Sequence, residues 1–204
     1  KVGGTQTTVN IPGTLELRDA PLFSASYNHI CSLVGEFPAI RIESFSDSPV
    51  GSGLGTSSTL CVTLISALSK YMGIEFSNHE IAEKAYQIER LECGFNGGKQ
   101  DQYSAVFGGF NHISFNTDNS VELESINVDE DFISELETRF VLLFTGKSRD
   151  SSAVIDEQEL AALDPESNYH EYLHRIKEEA IIMRKSLANR DIDSMISSLD
   201  RSWL

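Results

Sequence analysis

The segment Pro49-Val50-Gly51-Ser52-Gly53-Leu54-Gly55-Thr56-Ser57-Ser58-Thr59 decides how the rest of the chain is read. It follows a strand-like run, residues 40–45, and opens a helix-like run over 58–72. Three glycines at alternate positions let the backbone fold close around a bulky ligand. Hydroxyl residues follow at the first turn of the helix, where backbone N–H groups have no intrahelical acceptor. Such a junction is a nest for phosphate oxygens. Its candidate phosphate-binding residues are Gly51, Gly53, Leu54, Gly55, Thr56, Ser57 and Ser58. No lysine follows the last glycine, which excludes a Walker A loop. The glycine spacing also differs from the dinucleotide-binding fingerprint.

Outward from the loop, Leu60, Leu64, Leu68 and Met72 stand four residues apart, and Val62 and Ile65 widen the stripe. That periodicity predicts a helix buried against a sheet and ended by Gly73. Ser77-Asn78-His79-Glu80 is a capping box that starts a second helix through Ile81, Ala85 and Ile88, with Gly94 as its stop. Before the loop, Val2 and residues 7–11 read as an extended piece closed by Pro12-Gly13. Residues 22–33 read as a helix with Leu22, Ala25, Ile30 and Leu33 on its apolar face. Beyond the second helix, 110–115 and 121–128 read as strands around the turn Thr117-Asp118-Asn119. Residues 140–144 are wholly apolar and predict a short central strand. After Gly146 the character changes to charged helices, one with a stripe of Tyr172, Ile176, Ala180 and Met183, so a domain boundary is expected near 146.

The 204 residues suffice for one large or two small domains, and 40% are hydrophobic, ordinary for a globular chain. The formal net charge of -15 argues against nucleic acid or an anionic membrane as a partner. A phosphate ligand must then be held by local devices: backbone amides, a metal ion, a few placed cations. No run reaches the length of a membrane span. Between Glu122 and Glu137 seven acidic residues and no basic one stand together, which reads as a solvated edge. Cys31, Cys61 and Cys93 are odd in number and far apart, which argues against a zinc site or a disulfide framework; Cys61 falls in an apolar helix pattern. The histidines show no ligand spacing beyond the pair His170 and His174, which sits in a charged helix and reads as surface.

PVGSGLGTSST resembles the phosphate-binding motif of the GHMP kinases, a family of small-molecule kinases. The later segment GGKQDQYSAVFGGFNHISF, residues 97–115, resembles the branch of sugar kinases like D-glycero-D-manno-heptose 7-phosphate kinase. The resemblance implies an α+β fold of the GHMP kinase type. Residues 1–145 would form an N-terminal domain like ribosomal protein S5 domain 2, and 146–204 the start of a ferredoxin-like C-terminal domain. It further implies a cytoplasmic enzyme using ATP and Mg2+ to phosphorylate a sugar hydroxyl, foremost the anomeric hydroxyl of a heptose 7-phosphate. An unphosphorylated sugar such as fucose or galactose, or a non-catalytic binding relative, are the alternatives. Its small-molecule partner is a sugar or sugar phosphate, and nothing indicates the oligomeric state.

Phosphoryl transfer needs charge neutralisation, an in-line acceptor and a way to manage the acceptor's proton. Ser57, at the helix start, can reach a magnesium ion, or simply cap the helix. Glu89 lies beside the apolar face of the second helix, either exposed next to Arg90 or Lys84 or turned into a cleft; the resemblance implies a metal ligand. Asp101 sits between two glycine-rich turns, where a carboxylate can accept a hydroxyl's hydrogen bond. It can also cap the segment that follows. By resemblance it is the general base. Lys99 is expected to be either exposed or paired, and as a catalytic group could meet the phosphoryl group in transfer. Gln100 and Gln102 carry amides able to read sugar hydroxyls. Arg149, in Thr145-Gly146-Lys147-Ser148-Arg149, could contact the substrate's distal phosphate, as could Lys147.

Two family features are absent from the sequence. Gly3-Gly4-Thr5 is followed by Gln6 where a sugar-holding Asp is expected, and no C-terminal glycine-rich loop completes the phosphate site before Leu204. A fragment is the expected explanation. Each charge-assisted hydrogen bond lost with that loop would remove about 1.5–3 kcal/mol of phosphate binding, so reduced activity is expected of the short chain.

Overall fold

A computed structural model describes residues 5–11, 20–48, 51–143, 151–164 and 167–203, with backbone alone for 5–11, 151–154 and 159. These residues group into two compact units. One draws on Lys1–Phe107 and Phe144–Ile155, the other on Gly108–Leu143 and Asp156–Leu204.

In the first unit, β1 (Thr5–Ile11) pairs antiparallel with β2 (Ile40–Ser46), in the register that sets Thr5 against Ser46 and Ile11 against Ile40. The expected Pro12-Gly13 turn lies outside the described residues. Between the strands runs α1 (Pro21–Val34), opened by a proline whose missing N–H costs nothing at that position. Its buried face is Leu22, Phe23, Ser26, Tyr27, Ile30 and Cys31, whereas Leu33 is exposed. The helix after the glycine loop is α2 (Thr56–Tyr71), beginning two residues before its predicted start. Cys61, Val62, Leu64, Ile65 and Leu68 are buried as the periodicity required. Their main partners are helices and not a sheet: α2 packs on α1, on α3 (Asn78–Tyr86) and on α4 (Gln100–Phe107). The strand β2 adds Ile40 and Ile42 at the edge of the same cluster.

The capping box forms as read. Ser77 accepts from the Glu80 N–H, and the Glu80 carboxylate accepts from the Ser77 N–H at 2.7 Å. After Tyr86 the helix does not run on as an α-helix. Residues Gln87–Glu92 form a π-helical segment, closed by the Cys93 N–H on the Ile88 carbonyl at 2.9 Å. The widened turn has room for both Ile88 and Glu89 to be buried, although they are sequence neighbours.

The second unit holds the hairpin of β3 (Asn111–Phe115) and β4 (Val121–Ser125), where the turn places Asn119 in the left-handed region at φ 66°. Then come α5 (Glu130–Arg139), capped by Asp129, the helix α6 (Ser151–Leu163) that runs from one unit into the other, α7 (Tyr169–Asn189) and α8 (Ile192–Trp203). Phe132, Leu136, Leu187 and Met195 form its core, with Met183 and Phe110 packed against them. Two expectations fail here. Residues 140–143 form no strand and are 57–81% exposed; Phe144 lies outside the described residues. On α7, Tyr172, Ile176 and Ala180 are exposed, and the buried side chains are Ser186 and Leu187. Apolar periodicity predicted a stripe, but of its four members only Met183 packs against the core.

Among the described residues no helix is long and apolar enough to cross a membrane. Burial pushes all three thiols up, Cys61 to about 12, so none is a thiolate near neutral pH, as its core reading requires.

Replacing the fully buried Ile65 by Ala should cost about 2–5 kcal/mol in denaturant unfolding. Ser77→Ala should cost about 1 kcal/mol. The Ser77 backbone and hydroxyl donors hold the Glu80 carboxyl below its ordinary value. Its contribution to stability is therefore present above the ordinary carboxylate pKa and lost as pH falls through the lowered one. Unfolding followed from neutral to acid pH should show that loss in the parent and a smaller one in Ser77→Ala.

Candidate functional site

Gly51, Gly53 and Gly55 all stand in the left-handed region, at φ 70°, 77° and 66°. An L side chain is strained there, which is the local reason for glycine at alternate positions. Gly55 is also the N-cap of α2, and no side chain caps that helix. The N–H groups of its first turn are thus left to an external acceptor, with the positive end of the helix dipole behind them. Leu54, half exposed, forms the tip of the loop, and the hydroxyls of Ser52 and Thr56 stand 3.5 Å apart. Pro49 and Val50 lie outside the described residues.

The hydroxyl that turns inward from this helix is Ser58's, and it donates to Glu89 Oε2 at 2.7 Å. Glu89 is 1% exposed, so it is turned into the fold and is not a surface neighbour of Lys84. Gln102 Nε2 donates to the same Oε2 at 2.6 Å, and Arg90 Nη1 stands 3.6 Å from Oε1. The carboxylate therefore ties α2, the π-helical segment and α4 together. Sequence reasoning missed this cluster, although one signal was present: Ser58 falls four residues before Val62 and seven before Ile65, on the buried face of α2.

Asp101 lies in the first turn of α4, and its side chain abuts the glycine loop. A Cβ placed on Gly55 would stand 3.4 Å from Asp101 Cγ and 3.7 Å from Oδ1. The loop and Asp101, distant in sequence, thus meet in space. Lys99 points elsewhere. Its ammonium bonds both oxygens of Glu83 at 3.0 Å and lies over the Tyr86 ring. Tyr103 donates to Glu83 Oε1 at 2.7 Å, and burial, with that carboxylate beside it, pushes its phenol up. Gln100 folds back over Gly98, where its Oε1 is 2.6 Å from the place of a Cβ. Gln102 is fully buried and given over to Glu89, so it does not face a sugar as expected. Lys147 and Arg149 lie outside the described residues. Ser57 stands in the first turn of α2, exposed, one residue before the serine that meets Glu89.

Among the described residues no three His, Cys, Asp or Glu side chains gather into a metal centre. Magnesium at a nucleotide needs less, one or two protein oxygens beside phosphates and water. Glu89 Oε1 is the less engaged oxygen of its carboxylate, and Gln102 Oε1 is a buried oxygen with no hydrogen-bond partner among the described residues. Hydroxyl, carboxylate and amide oxygens are the donor type such an ion takes.

Residues 21–109 match the family model described as the GHMP kinases N terminal domain. The chain is 38% identical, over 89% of its length and 53% of the relative's, to a D-glycero-alpha-D-manno-heptose 7-phosphate kinase of Campylobacter jejuni. It is 28% identical to a bifunctional fucokinase/GDP-fucose pyrophosphorylase of Arabidopsis thaliana, over 80% of this chain and 16% of that one. Among solved structures, a D-glycero-D-manno-heptose 1-phosphate kinase from Bacteroides thetaiotaomicron superposes with a TM-score of 0.78 at 27% identity, over 98% of this chain and 66% of that one. The chain spans about half the length of the heptose 7-phosphate kinase it matches. The uncapped glycine nest, the carboxylate set against it and the family match make residues 21–109 a GHMP kinase N-terminal domain.

Proposed function

We propose that this protein transfers the γ-phosphoryl group of ATP to a hydroxyl of a sugar phosphate, foremost the anomeric hydroxyl of a heptose 7-phosphate. The observation that carries the proposal is the contact of Asp101 with Gly55, which sets an acceptor for a hydroxyl proton at the mouth of a phosphate nest. In this reading the first-turn amides of α2 and the backbone from Gly51 to Gly55 would hold the phosphates, and Ser57 and Glu89 would hold a magnesium ion. Magnesium would neutralise charge on the phosphates. Asp101 accepts the hydrogen bond of the sugar hydroxyl and orients its oxygen toward the nest. Ser58, Gln102 and Arg90 hold Glu89 in place.

Gln100 and Arg149 remain our candidates for reading the sugar and its distal phosphate, with Lys147 beside Arg149. The pairing of Lys99 with Glu83 makes its catalytic role the weaker part of the site, since leaving that pair costs an ion pair and a cation–π contact. Residues 1–145 as N-terminal domain and 146–204 as the start of the C-terminal domain belong to the same proposal, as does a cytoplasmic location, where ATP and sugar phosphates are found. The relatives are named for kinases of a 7-phosphate and of a 1-phosphate, so the position of the acceptor is the point to test.

Asp101→Asn should lower phosphoryl transfer about 10²–10⁴-fold while Mg·ATP binding, followed by calorimetry, is unchanged. Equal loss of both would remove Asp101 from the acceptor side. Ser57→Ala should weaken Mg·ATP binding about tenfold, the loss of one bond worth about 1.4 kcal/mol. A panel of heptose 7-phosphate, heptose 1-phosphate, fucose and galactose should give its highest kcat/KM with the 7-phosphate. No transfer to any of them would overturn the kinase reading, and preference for an unphosphorylated sugar would overturn the choice of acceptor.

A further inference from the structure

We infer that Arg90 is a positioning residue that fixes loop 95–98, and through it Asp101, against the helix that carries Glu89; the consequence for catalysis rests on the kinase reading above. The residues between the π-helical segment and α4 have no regular structure of their own. Three of their carbonyls nevertheless converge on one guanidinium. Arg90 Nη1 donates to the Asn96 carbonyl at 3.0 Å and, at greater length, to that of Phe95 at 3.5 Å, while Nε donates to the Gly98 carbonyl at 3.4 Å. The Arg90 side chain is only 12% exposed.

The loop is built to admit that group. Gly97 has φ +145°, and a Cβ there would stand 2.7 Å from Arg90 Cζ and 2.8 Å from Nη2. The guanidinium fills the space that any other residue at 97 would claim. At its start the loop is tied back by the Phe95 N–H on the Glu89 carbonyl at 3.1 Å, and at its end Lys99 and Gln100 lead into Asp101. Arg90 is the neighbour of Glu89 and faces its carboxylate as well. Together with the Gln102 bond to Glu89, this side chain thus fixes the spacing of the two carboxylates assigned to the phosphate side and the acceptor side. Only a planar fork with several fixed N–H groups can serve carbonyls in different directions at once, and a lysine ammonium cannot reproduce it.

The test compares wild type with Arg90→Lys, Gly97→Ala and Arg90→Gly, the last with and without guanidinium at a non-denaturing concentration. Readouts are steady-state kinetics with the acceptor found above and amide hydrogen exchange. Arg90→Lys and Gly97→Ala should lower kcat about 10²-fold, the effect of an ångström-scale misplacement, with the KM for ATP unchanged. Added guanidinium should restore part of the kcat of Arg90→Gly. Amides of 95–98 should exchange faster in each variant while those of α2 stay protected. Unchanged kcat and loop exchange in Arg90→Lys would overturn the inference. So would protection lost evenly across α2 and α3, with kcat and KM moving together. If the wild type itself transfers nothing, the kinase reading falls and exchange decides the clamp alone: faster exchange confined to 95–98 upholds it, and unchanged exchange overturns it.

Discussion

A carboxylate removed from water must be met by donors or it destabilises the fold by several kcal/mol. Glu89 is such a group, and its three partners come from three places: Ser58 on α2, Gln102 on α4 and Arg90 on its own segment. The start of the α2 helix, the π-helical segment and the helix bearing Asp101 therefore cannot shift independently without uncovering charge. Ile88, buried beside Glu89, adds apolar packing to the same element. The π-turn is what lets neighbouring residues serve these two demands, in keeping with the frequency of such turns at functional sites.

The acidic balance of the chain, with a net charge of -15, shapes how an anion could be held. Two cations near the loop are already engaged: Lys99 by Glu83, and Arg90 by backbone carbonyls and Glu89. Among the described residues, what remains at the nest is the backbone of three left-handed glycines and an uncapped helix start, with the Ser52, Thr56 and Ser57 hydroxyls. Backbone amides give direction to phosphate oxygens without adding a mobile positive side chain. This accounts for the absence of a lysine in the loop better than a weakened Walker motif would.

What could be read from the sequence was what depends on near neighbours. The glycine loop, α2, the capping box at Ser77 and the hairpin turn at Asn119 are each set by residues within a few positions. The place of Asp101 near the glycine loop agrees with the glycines that flank it. The inward turn of Glu89 was not legible, because an α-helical wheel puts it at the edge of the apolar face and the π-turn moves it. Gln102 was read as polar and ligand-facing, when its partner is an acid thirteen residues away. In the second unit the stripe on α7 was read as one face of a helix, and the apolar run 140–144 as a central strand, because they are apolar. Burial depends on which surfaces arrive to cover them, and periodicity carries no information about that.

Gly55 shows how two constraints converge on one position. Its backbone needs positive φ to turn the loop into α2, and the Asp101 carboxylate occupies the space beside it, at van der Waals distance from where a Cβ would stand. Placing a carboxylate beside an anion nest works against the binding of phosphate, since two like charges about 4 Å apart near a protein surface repel by about 4 kcal/mol. A fold that served only to bind phosphate would gain by any neutral residue there. Under the proposed function the cost has a purpose. The carboxylate is set where an acceptor hydroxyl must lie to reach the terminal phosphate, and a metal ion at Glu89 would offset the repulsion only when the nucleotide is bound.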